Sequence, residues 1–170
     1  SSLQKELLAK ALGVKGPFRP KVLDLTAGLL GDSLLMLAFG CEVVASERHP
    51  VIQFLIQSAL KNAQHPKLQK FTFVPQDALK TLEISENFDA IYFDPMFEDA
   101  NEKASPRKEM RIFRSLVGSD QDAMKVFQIA QAKKAKRLVV KRPRQSVNLG
   151  TEPSVQYIGK STRYDVYFSI

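Results

Sequence analysis

Apolar residues recur along this chain in short blocks that switch between helical and strand spacing. Leu3, Leu7, Leu8 and Ala11 share one helical face and Gly13 follows as a stop, which predicts a helix over 2–12. Gly16-Pro17 and Pro20 then break the chain. Val22-Leu23-Asp24-Leu25 is a short apolar run of the kind that forms a buried parallel strand. Residues 28–31 turn into a helix carrying Leu34, Leu35, Leu37 and Ala38, ended by Gly40. A second strand is predicted over 42–46. Pro50 suits the first turn of a helix whose apolar face would hold Ile52, Leu55, Ala59 and Leu60. Further strands are predicted over 71–75, 90–93 and 137–141, with a helix over 122–132. Residues 98–119 read as a long polar loop with a short helical piece. Val155 to Ile158 and Tyr164 to Ser169 alternate like a closing antiparallel pair.

Strand–helix alternation through five strands, then a hairpin, predicts an α/β fold. Its sheet would be mostly parallel and seven-stranded, with helices on both faces. At 170 residues, 44% of them hydrophobic, the chain can bury one core. Residues 1–170 are expected to form a single domain. The lone cysteine, Cys41, excludes an internal disulfide and suits a reducing, cytoplasmic compartment. No leader-like run or apolar stretch of membrane-spanning length is present, so no membrane partner is expected. The formal charge of +7 suits a polyanionic partner.

Function in such sheets gathers in the loops after the strands. The first is Asp24-Leu25-Thr26-Ala27-Gly28-Leu29-Leu30-Gly31-Asp32. Its glycines permit a tight turn and close approach of backbone to ligand. It is not the G-x-G-x-x-G pattern, and its carboxylates Asp24 and Asp32 would repel a diphosphate at the helix start. A ligand bearing an ammonium and a sulfonium would be attracted instead. Glu47 ends the second strand 19 residues after Gly28, about where an acidic residue takes the ribose hydroxyls of an adenosine-type cofactor. Both features point to S-adenosylmethionine.

The fourth strand runs into Asp94-Pro95-Met96-Phe97. This resembles the Asp/Asn-Pro-Pro-aromatic motif of methyltransferases that modify exocyclic amines of bases. Such an amine is a poor nucleophile, because its lone pair is delocalised into the ring. A carboxylate and a backbone carbonyl accepting its N–H bonds restore electron density and aim the lone pair. Pro95 would stiffen the turn, and Phe97 could stack on the base. Asp94, Pro95 and Phe97 are therefore the candidate catalytic residues.

Basic residues flank these loops. Lys103, Arg107, Lys108, Arg111 and Arg114 follow the motif, and Lys141, Arg142 and Arg144 follow the fifth strand. Lys103, Arg107, Lys108, Arg111, Lys141 and Arg142 are the candidate RNA contacts, positioning phosphates without reading sequence. His49, His65 and Cys41 lack zinc-ligand spacing, so no metal is expected. No G-x-S-x-G elbow or P-loop occurs.

The runs DLTAGLLGDSLLMLAFGCEV, SERHPVI, YFDPMF, RKEMRIFRSLVG, VVKRP and RYDVY resemble the ribosomal RNA small subunit methyltransferase J family. The likeness covers about residues 5–169 in the family's order. It implies a Rossmann-like class I fold, S-adenosylmethionine as methyl donor, and guanine-N2 methylation of small-subunit (16S) ribosomal RNA. It places cofactor contacts at Gly31-Asp32, Glu47-Arg48, Asp77-Ala78 and Asp94, alongside Asp24, Thr26 and Gly28 of the first turn. Where the family usually has Arg and Ser-Ser, this chain has Gly31 and Asp77-Ala78; where its motif continues with proline, this chain has Glu98. Family members also carry a preceding N-terminal region that these residues do not include. Two other functions fit the residues: a base-amine methyltransferase acting on another RNA or on DNA, of adenine-N6 type, and a non-catalytic RNA-binding module. Labelled methyl transfer separates the first, and cofactor affinity the second.

Overall fold

The computed structural model describes residues 2–83, 87–95, 122–133 and 135–169. Its centre is a seven-stranded sheet formed by β1 (Lys21–Asp24), β2 (Glu42–Ser46), β3 (Phe71–Val74), β4 (Ala90–Phe93), β5 (Arg137–Pro143), β6 (Val155–Ile158) and β7 (Thr162–Phe168). The order is β3-β2-β1-β4-β5-β7-β6. β1 to β5 are parallel, β7 runs antiparallel to β5, and β6 antiparallel to β7. The sequence predicts this architecture. Strand order reverses between β1 and β4, so the loops after Asp24 and Phe93 leave the sheet side by side at its switch point.

Two apolar layers cover the sheet. One joins α1 (Ser2–Leu12), α2 (Gly31–Ala38) and α3 (Pro50–Asn62) to Val22, Val43, Tyr92, Val139 and Tyr164. The other joins α4 (Ala78–Glu83) and α5 (Ala123–Ala132) to Leu23, Ile91, Phe93, Leu138 and Val140. Successive strand residues serve opposite layers, which is why the central strands read as unbroken apolar runs.

Two helices are rotated from their expected faces. α2 buries Ser33, Met36 and Leu37 and leaves Leu34 half exposed, because Ser33 must reach inward to a carboxylate on β1. α3 buries Ile52 and Ile56, an i, i+4 stripe, and exposes Leu55. The short α4 escapes the apolar pattern. Asp77 is the feature that marks it, since its Oδ1 accepts from the Lys80 amide at 2.9 Å and caps the first turn. The expected loop over 98–119 lies outside the described residues.

Candidate active site

The β1 loop is held by its own carboxylates. Asp24, at the end of β1, is 1% exposed; its Oδ1 accepts from the Thr26 amide at 3.0 Å, and its Oδ2 from Ser33 Oγ at 2.6 Å. Burial pushes its pKa up to about 7, against the pull of those two donors. Glycine is needed at position 28, where φ is 50° and the amide is turned toward Glu47. Leu30 also takes a left-handed φ of 65°, a conformation that costs an ordinary residue about 1–2 kcal/mol. Its side chain is anchored in the core, which holds the turn in that shape. A Cβ built on Gly31 meets open space, so this position has room for a side chain.

Glu47 is 6% exposed, deeper than a cleft-facing strand end would suggest. Its Oε2 accepts from the Gly28 amide at 3.0 Å and its Oε1 from the His49 amide at 2.7 Å. Each oxygen keeps a further lone pair. Next to it, His49 Nδ1 is buried with no hydrogen-bond partner among the described residues. Arg48 reaches Asp122 at 3.4 Å, at the start of α5. Asp77 and Ala78 follow β3, beyond β2, where Asp77 caps α4.

The β4 turn is fastened to the β1 loop. The Asp94 amide donates to Thr26 Oγ1 at 2.7 Å, and the Leu25 amide donates to the Tyr92 carbonyl at 2.9 Å. Tyr92 Oη donates to Asp32 Oδ2 at 2.5 Å. Lys141 Nζ stands 2.8 Å from Asp32 Oδ2 and 2.8 Å from Asp94 Oδ2. Burial would lower the ammonium's pKa, but Asp94 and Asp32 outweigh it and hold Lys141 above the ordinary lysine value. Burial beside these carboxylates raises the Tyr92 phenol well above its usual range. Asp24, Thr26, Gly28, Asp32, Glu47 and Asp94 thus lie in linked hydrogen-bond groups at one edge of the sheet. Pro95 is buried. Phe97, Lys103, Arg107, Lys108 and Arg111 lie outside the described residues.

Two of the expected RNA contacts lie within the protein's own network. Lys141 Nζ is held between the Asp32 and Asp94 carboxylates. Arg142 is 4% exposed, and its Nε and Nη2 donate to the Val147 carbonyl at 3.2 and 2.8 Å. Strand alternation sends neighbouring residues to opposite faces, and apolar layers cover both faces of β5, Val139 in one and Leu138 and Val140 in the other. Arg144, just past the strand, is exposed.

A family model described as "Putative SAM-dependent methyltransferase" matches residues 1–169. Ribosomal RNA small subunit methyltransferase J of Thioalkalivibrio sulfidiphilus is 42% identical, over 98% of this chain and 69% of its own length. Its namesake in Coxiella burnetii is also 42% identical, over 96% of this chain and 66% of its own. The chain belongs to the ribosomal RNA small subunit methyltransferase J family. It spans about two thirds of the length of these relatives. A SAM-dependent methyltransferase structure from Neisseria gonorrhoeae superposes with a TM-score of 0.73 at 34% identity, covering 96% of this chain and 71% of that one. The chain is accordingly an S-adenosylmethionine-dependent methyltransferase with the Rossmann-like class I fold. The donor set fits that cofactor: Asp24, Asp32, Glu47 and Asp94 line the sheet edge with acidic oxygen, suited to a sulfonium, an ammonium and ribose hydroxyls and unsuited to a diphosphate. Among the described residues no acidic, His or Cys cluster could hold a metal, and no helix is long and apolar enough to cross a membrane.

Proposed function

We propose that this chain transfers a methyl group to the exocyclic N2 of a guanine in small-subunit ribosomal RNA, with Asp94 as the acceptor that orients the amine. The observation that carries this reading is the fastening of the Asp94 turn to the cofactor-type loop. Its amide is tied to Thr26, and its carboxylate is tied through Lys141 to Asp32. A group that must aim one reactant at another needs such a fixed relation, because orientation alone contributes several kcal/mol to catalysis.

The cofactor would be held by Asp24, Thr26, Gly28, Gly31 and Asp32 of the first loop, Glu47 and Arg48 after β2, Asp77 and Ala78 after β3, and Asp94. Bound S-adenosylmethionine supplies an electrophilic methyl on a sulfonium sulphur. Asp94 and a main-chain carbonyl of its turn accept the two N–H bonds of guanine N2 and direct its lone pair. Pro95 limits the turn's freedom, and Phe97 stacks on the base. The amine's surplus proton departs after transfer, so no strong base is required, and Lys141, held cationic, is unsuited to act as one. Arg107, Lys108, Arg111 and Lys103 hold RNA phosphates. The whole small ribosomal subunit is the expected partner, in the cytoplasm.

The test is to incubate the protein and methyl-labelled cofactor with small ribosomal subunits, free ribosomal RNA and duplex DNA, then digest to nucleosides. Label in N2-methylguanosine from the ribosomal substrates supports the reading. Label in N6-methyladenine, or confined to DNA, contradicts it.

A further inference from the structure

Lys141 was singled out in the sequence for a phosphate, yet it sits where two loops meet. Its ammonium is 2.8 Å from Asp32, in the first turn of α2, and 2.8 Å from Asp94, just past β4. We propose that Lys141 is a positioning residue of the methyl-transfer site, clamping the Asp94 carboxylate to Asp32 so that Asp94 meets the incoming amine ionised and in one orientation. The inference rests on the reading of Asp94 as amine acceptor and adds the residue that makes it competent.

The local charges favour such a cation. Asp24 from the end of β1, Asp32 from α2 and Asp94 all gather at this edge, and the negative charge of Asp32 and Asp94 adds to the burial that holds Asp24 up. Tyr92 on β4 and Tyr164 on β7 also face the cluster; burial, then the neighbouring carboxylates, hold both phenols above their usual range, Tyr164 at about 12. Neither phenol can supply positive charge, whereas Lys141 brings it within 2.8 Å of both Asp32 and Asp94. Removing the ammonium takes away the positive charge 2.8 Å from Asp94 Oδ2, and that loss favours the protonated form of the carboxylate. A protonated Asp94 would give up acceptor capacity at the oxygen that must take an N–H bond from the amine. The ammonium also has fixed support: the Tyr92 hydroxyl donates to the same Asp32 Oδ2 that Lys141 meets, so Lys141 pulls Asp94 toward an anchored group. Cofactor binding has no need of this cation, because S-adenosylmethionine brings positive charge of its own.

The test compares Lys141→Met, which keeps the chain length, with Lys141→Arg, which keeps the charge, and both with Asp94→Ala and Asp94→Ala/Lys141→Met. Single-turnover transfer to small subunits is followed across pH, cofactor affinity by calorimetry, and the Asp94 carboxylate by ¹³C NMR, its signal assigned by loss in Asp94→Ala. Lys141→Met is expected to slow transfer about ten- to hundredfold, the worth of a charge-assisted hydrogen bond. It should move both the acid limb of the rate profile and the Asp94 titration to higher pH, with Lys141→Arg recovering most of the loss. In the Asp94→Ala background the same change should cost less than about threefold, since the two residues act as one unit. The cofactor dissociation constant should stay within about threefold or tighten. A tenfold weaker cofactor would overturn the proposal by making Lys141 a ligand contact. So would an unmoved Asp94 titration, or a full additional loss on top of Asp94→Ala. Should the parent transfer no methyl to ribosomal substrates while the Asp94 titration still shifts in Lys141→Met, the clamp stands and the assigned substrate falls.

Discussion

Asp24 and Glu47 show how much chemistry a single buried carboxylate can carry. Asp24 is raised to about 7 by burial, and a cationic ligand beside it would favour the ionised form. Cofactor binding below pH 7 should therefore release up to one proton, and affinity should rise with pH until about 7 and then level off. Calorimetry at pH 6 in buffers of different ionisation heat measures this; zero proton release would separate Asp24 from the cofactor. The same shift has a stability consequence. A group whose folded pKa lies above its ordinary 3.8 contributes stability that is complete below that value and lost as pH rises through about 7. Glu47→Ala should weaken S-adenosylmethionine binding by about 1.5–3 kcal/mol if a ribose hydroxyl bond is lost. It should also lower the melting temperature, because both oxygens hold loop amides. An unchanged dissociation constant would leave Glu47 as a loop brace alone. The acidic types at these positions were readable in the chain, from the strand–turn–helix context and the 19-residue spacing. Their burial was not, because it depends on Ser33 and on amides that only the folded loop brings round.

At the scale of elements, β5 and β7 carry a polar cluster that apolar patterning conceals. Arg163 is 5% exposed and Asp165 is fully buried, and the guanidinium Nε donates to Asp165 Oδ1 at 2.8 Å. Arg163 also donates to the Arg144 and Ser146 carbonyls at 2.9 and 2.6 Å, tying down the loop after β5 beside the site. Arg142 lies opposite Arg163 in register, so two guanidinium groups share this face and need the loop's carbonyls. Removing one partner of a buried pair strands the other charge. Arg163→Met should therefore destabilise the protein by about 3–5 kcal/mol, and Arg163→Met/Asp165→Leu by less. Urea unfolding decides, and a single variant as stable as the parent would show the pair to be dispensable. The strands themselves were legible, since buried apolar runs and alternation identify them within two residues. The helix faces were less so. Ile52 and Ile56 outcompete Leu55 through the rotation that sheet packing imposes, which periodicity alone cannot specify.

On the scale of the whole molecule, the fold brings the end of β1 and the end of β4 together at the switch in strand order, and Lys141 from β5 joins them. Strand alternation in the sequence gives the layers and the loops where function gathers. It does not give which lysine turns inward, so the contact of Lys141 with Asp32 and Asp94 emerges only from the folded sheet. The central claim is that Asp94 orients the amine during transfer and is not merely a turn residue. Single-turnover methyl transfer to small ribosomal subunits at saturating cofactor, with circular dichroism confirming the fold, tests it in Asp94→Ala. Losing one positioned group at the reacting centre should slow transfer roughly 10²–10³-fold, by analogy with oxyanion-hole donors, while cofactor affinity falls far less. Transfer within about threefold of the parent would be too small a loss for that role and would contradict the account.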